Sequence, residues 1–84
     1  MLDLMALGKE IAAHRRARGM TQPELARLAR IGRSTLAALE TGATAELGFR
    51  KIMSLLAVLG LDLRLTPANE GRPTLEDLQK GASS

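Results

Sequence analysis

The 84-residue chain has no cysteine, tryptophan or tyrosine, one phenylalanine and one histidine. Without thiols it can form no disulfide and offers no thiolate to a metal. His14 alone cannot supply the three or four ligands of a zinc site, so no metal or other cofactor is expected. With Phe49 as the only aromatic residue, Leu, Ile, Met and Ala must build the core, a composition that favours helix over sheet. No stretch approaches the roughly 18 consecutive apolar residues of a membrane span. The N-terminus carries Asp3 where a secretory signal needs basic residues. A soluble cytoplasmic protein is expected, with room for one small domain and an extension. There is no paired-carboxylate, Ser-His-Asp or glycine-rich phosphate motif, and so short a chain leaves little room for a closed pocket, which argues against an enzyme.

What is present is positive charge, unevenly placed. The net charge is +3, and the excess lies before residue 52, in Lys9, Arg15, Arg16, Arg18, Arg27, Arg30, Arg33, Arg50 and Lys51. The asymmetry suits a polyanionic partner for the N-terminal part. A solvated helical surface is the plainer reading and explains most charge excesses this small.

Apolar periodicity predicts helices in most of the chain. Leu4, Leu7 and Ile11 recur three or four apart over residues 4 to 18, with Gly19 as the stop. Thr21 and Glu24 form a capping box with Pro23 in the first turn, which predicts a second helix from Gln22 to about Ala29. A tight turn leads to a third, Arg33 to Thr41, closed by Gly42. A fourth is expected around Leu47 to Leu59, with Phe49, Ile52, Leu55, Leu56 and Leu59 at core spacing and Gly60 as its stop.

From Leu61 to Thr66 the period changes to strict alternation, the pattern of a half-buried strand, and Pro67 ends it. One strand makes no sheet, and no other segment offers a partner. Pairing of Leu61, Leu63 and Leu65 with the same strand of a second subunit is therefore expected. The other reading is an extended segment that packs these leucines on its own domain. The expected division is a domain over 1–66, including the dimerisation strand 61–66, and a flexible tail over 67–84. Within the tail, Thr74 and Asp77 suggest a short helical turn through Gln79.

Thr21-Gln22-Pro23-Glu24-Leu25-Ala26, then Ala29, Ile31, Arg33-Ser34-Thr35-Leu36, Leu39-Glu40 and Gly42, resemble the helix-turn-helix signature of the Cro and phage-repressor (Xre) family, over roughly residues 7 to 60. The resemblance implies a mainly α, lambda-repressor-like domain of four to five helices. Its third helix would lie in the major groove of double-stranded DNA. Two positions depart from the pattern. Arg30 stands where the turn usually has Gly, and a left-handed Arg there would cost about 1 kcal/mol, so a turn of different shape is expected. Gly32 replaces the usual Ser or Thr cap at a cost of only a few tenths of a kcal/mol.

By the same resemblance Gln22 would donate to a phosphate, with an ordinary exposed residue as the plainer reading. Arg33, Ser34 and Ala38 match positions that face bases, with Thr35 and Ala37 near the backbone or the groove wall. Arg33 can grip guanine with two hydrogen bonds or else hold a phosphate; Ala37 and Ala38 can offer thymine only methyl contacts. Thr44 and Arg50 are further candidates for phosphate contact. Arg15 and Glu40 fall where the family often has an ion pair, which would be structural.

The helix followed by a strand resembles antitoxins of the HipB type more than the all-helical phage repressors. That resemblance implies a homodimer on a palindromic operator, repression of its own operon and a toxin kinase of the HipA type as partner. A stand-alone or phage-type regulator and a protein-protein adaptor are the alternatives.

Overall fold

The computed structural model describes residues 3–44 and 46–67. Its four helices are α1 (Leu4–Ala17), α2 (Gln22–Ala29), α3 (Arg33–Thr41) and α4 (Phe49–Val58). The helix starts are set locally. Asp3 caps α1 by accepting from the Ala6 N–H at 2.8 Å. At α2 the Glu24 N–H donates to Thr21 Oγ1 at 3.2 Å, and the Thr21 N–H donates to Glu24 Oε1 at 2.8 Å. Gly32 and Gly48 precede α3 and α4 with no side-chain cap.

All four helices stop in the same way. The N–H of a residue two or three past the end reaches back across the last turn: Met20 to the Arg15 carbonyl, Ile31 to Ala26, Ala43 to Ala38 and Leu61 to Leu56. Such a closure requires a left-handed residue just before that N–H. Gly19, Gly42 and Gly60 fill three of the four positions, and Arg30, at φ 61° and ψ 45°, fills the fourth. The turn between α2 and α3 therefore keeps the usual shape, contrary to the expectation from Arg30, and the chain bears a strain of about 1 kcal/mol there. Closing the ladder and burying half of Ile31 against the core offset that cost.

The core is aliphatic. Ile11, Leu25, Leu36, Leu39 and Leu55 are fully buried, one or two from each helix, and so is Leu59 at the C-cap of α4. Each contributes about 1.5–3 kcal/mol of transfer free energy. Phe49 does not join them. It is 65% exposed in the first turn of α4, and the core spacing it shares with Ile52 overstates what that end of the helix buries. No described helix is long and apolar enough to cross a membrane.

The expected strand is corrected as well. Residues 61–67 form no strand, and there is no strand among the described residues. A ladder requires a second row of backbone groups, which this single chain does not supply. Leu61 and Leu63 pack partly buried against the core, whereas Leu65 stands 96% exposed. The tail expected over 67–84, with its helical turn at Thr74 to Gln79, lies outside the described residues apart from Pro67.

Helices α1 and α3 cross closely because Gly8 is buried against the backbone of α3. A Cβ at Gly8 would fall on the carbonyl oxygen of Leu39, well inside van der Waals contact. Gly8→Ala is expected to cost at least about 2 kcal/mol, a drop of about 10 °C in Tm by circular dichroism. Gly48→Ala, where a Cβ meets open space, is expected to cost less than about 1 kcal/mol.

Candidate nucleic-acid interface

The first turns of α2 and α3 lie side by side. Between them is an open depression of about 500 Å³ lined by Gln22, Arg33, Ser34 and Ala37. Its chemistry follows from the local sequence. The two departing helix ends bring positive partial charge, Arg33 brings a full one, Ser34 a hydroxyl and Ala37 a small apolar floor. In the first turn of α2, Pro23 has no N–H, and the N–H groups of Glu24 and Leu25 are taken by Thr21. The Gln22 N–H is the donor that remains among the described residues.

Arg33 and Ser34 are exposed, and Thr35, Ala37 and Ala38 are half-buried on the same short helix. Thr44 is half-buried, and its hydroxyl donates to the Glu46 carbonyl at 3.1 Å. Arg50 is exposed in the first turn of α4. The depression thus gathers Gln22, Arg33, Ser34 and Ala37, while Thr44 and Arg50 are not part of its lining.

Behind the depression lies an ion pair. Arg15 on α1 donates from Nε to Glu40 Oε2 at 2.7 Å and from Nη2 to Oε1 at 2.8 Å. Its Nη1 donates to the Met20 carbonyl at 2.7 Å. The side chains are 9% and 2% exposed. Gln22 completes the group, because its Nε2 donates to Glu40 Oε1 at 2.9 Å. Sequence reasoning paired Arg15 with Glu40 but did not connect either to Gln22.

Burial acts to raise the pKa of Glu40. It is outweighed by the hydrogen bonds from Arg15 and Gln22 and by the charges of Arg15 and Arg16, so the carboxyl is held below its ordinary value. Arg15 is shifted up, first by its hydrogen bond to Glu40 and against burial. Glu24, fully exposed, is lowered by the hydrogen bonds of the Thr21 backbone and side chain. Among the described residues no three His, Asp or Glu side chains come together to hold a metal ion.

The sign of the Glu40 shift generates a prediction. In the wild type the folded chain takes up this proton less readily than the unfolded chain. The stabilisation is full above the ordinary glutamate pKa and is lost as pH falls through the lower, folded value. In Arg15→Met the carboxyl is buried without its counter-ion, and burial then raises its pKa. Its contribution is favourable only below the ordinary value and is lost as pH rises through the folded one. Urea unfolding from about pH 3 to pH 7 should show a stability gap between the two proteins that widens with pH, reaching about 3–5 kcal/mol near neutrality. A gap that does not vary with pH would contradict this account.

No curated protein matches the chain at a significant level. The family model described as helix-turn-helix domain matches residues 6–68, which takes in all of α2, α3 and α4 and the described segment after them. With two short helices joined by a tight turn and their first turns flanking one basic depression, the chain belongs to the helix-turn-helix domain family of DNA-binding folds.

Proposed function

We propose that the protein is a sequence-specific transcriptional repressor that binds a palindromic DNA operator as a homodimer. The depression between the first turns of α2 and α3 carries this reading. A phosphate group fits beside the Gln22 amide and the start of α2, while α3 enters the major groove with its N-terminal end towards the bases. Arg33 is the residue that discriminates, through a bidentate grip on guanine O6 and N7. Ser34 adds one adaptable hydrogen bond, and Thr35, Ala37 and Ala38 line the groove by shape and methyl contact. Thr44 and Arg50 hold the DNA backbone at the margin.

Direct readout by this helix is sparse, so half-site spacing and DNA deformability supply the rest of the specificity. A two-fold dimer, its recognition helices about 34 Å apart, imposes that spacing. Support for the dimer comes from residues 61–66, whose apolar and polar side chains alternate and whose Leu65 projects into solvent. The finer form of the reading is an autoregulating antitoxin of the HipB type partnered by a toxin kinase of the HipA type. Its support is the order of four helices followed by a segment of alternating leucines and polar residues. A stand-alone regulator would use the same DNA surface without that partner.

Duplexes selected from a random pool by the purified protein provide the test. Binding to the selected duplex should weaken linearly with the logarithm of salt concentration. Arg33→Ala should lose about tenfold or more on that duplex and far less on a scrambled one. Equal losses on both would reduce Arg33 to a phosphate contact, and no preference for any duplex would overturn the reading. Sedimentation at tens of micromolar should give a dimer for the wild type and a monomer for Leu65→Lys. A monomeric wild type would remove the strand-paired dimer from the proposal.

A further inference from the structure

The Arg15–Glu40 pair does more than clamp α1 to α3. Arg15 alone already engages both carboxylate oxygens of Glu40. The third donor on that carboxylate, Gln22 Nε2, comes from the residue that lines the basic depression, 18 positions earlier in the chain. We propose that Glu40 is a positioning residue for DNA-backbone recognition, holding the Gln22 carboxamide in the orientation that meets a phosphate. The proposal rests on the DNA-binding reading above and adds a role for a residue that cannot itself touch DNA, since its side chain is 2% exposed.

The chemistry fixes the orientation. A glutamine side chain has three rotatable bonds, and its amide can present either end to a neighbour. An ionised carboxylate only accepts hydrogen bonds, so the NH2 end of Gln22 must face Glu40. One N–H is thereby committed, and the second is left as the donor for a phosphate oxygen. A carboxylate close to a phosphate would normally repel it. Here Arg15 neutralises the charge, so Glu40 can orient the amide without that penalty. Arg15 also grips the Met20 carbonyl, just ahead of the Thr21 cap, and so places the start of α2 against the same anchor.

A coupling experiment separates this role from simple support of the fold. Replacing the pair by apolar side chains of similar volume, Arg15→Met with Glu40→Met, avoids a buried unpaired charge and is expected to leave the protein folded. Affinity for the selected duplex should fall about tenfold, the size of one charge-assisted hydrogen bond. Gln22→Ala should cost a similar factor. The triple variant should bind no more weakly than Gln22→Ala alone, because the pair acts through Gln22. Losses that multiply would overturn the positioning role while leaving the DNA-binding reading intact. A wild type that binds no duplex would overturn both.

A second measurement needs no variant. In the free wild-type protein, nitrogen relaxation of the Gln22 carboxamide should give an order parameter near that of rigid backbone, about 0.85. A value below about 0.6, typical of a freely moving group, would also overturn the positioning role.

Discussion

Three helices are tied together by one buried guanidinium. Arg15 reaches from α1 to the carboxylate at the end of α3 and to the carbonyl just ahead of α2. A lone charge in that position would be costly. Paired in a bidentate geometry and bonded through Nη1 to the Met20 carbonyl, it fixes the distance and the rotation of α3 relative to the other two helices. The leucine core supplies most of the favourable free energy, but aliphatic packing tolerates small sliding. The fork of Arg15 specifies one arrangement, and Gly8 lets the backbones come close enough for that arrangement to form.

The site inherits its shape from this frame. Gln22 and Arg33 lie 11 positions apart in sequence, yet they share one depression because the α2–α3 turn folds their helices side by side. That turn is bought with strain at Arg30, the one left-handed position of the four helix ends not occupied by glycine. In exchange a further positive charge stays exposed between the two helices that flank the depression.

Much of this was legible in the chain itself. The Thr21–Glu24 box, the stops at Gly19, Gly42 and Gly60, and the apolar spacing of α1 and α2 are short-range signals, and short-range signals survive folding. Phe49 was misread because periodicity says which residues share a helix face and not how far along the helix the partner surface extends. Leu61 to Thr66 alternate like a strand, but strand formation depends on a partner that one chain's sequence does not contain. The Arg15–Glu40 contact could be named only through family resemblance. The Gln22–Glu40 bond had no sequence signal at all, since it arises where two helices meet.

The uniform helix endings also bear on how the chain finds its structure. Helix caps and six-residue closures form within single turns, so each helix carries its own boundaries before any tertiary contact exists. The demanding step is to bring Arg15 onto Glu40 across 25 residues, and loop-closure entropy grows only slowly with such a span. A helical domain with modest loops to close belongs among rapid folders, and the depression beside Gln22 takes shape only when α3 has closed onto α1.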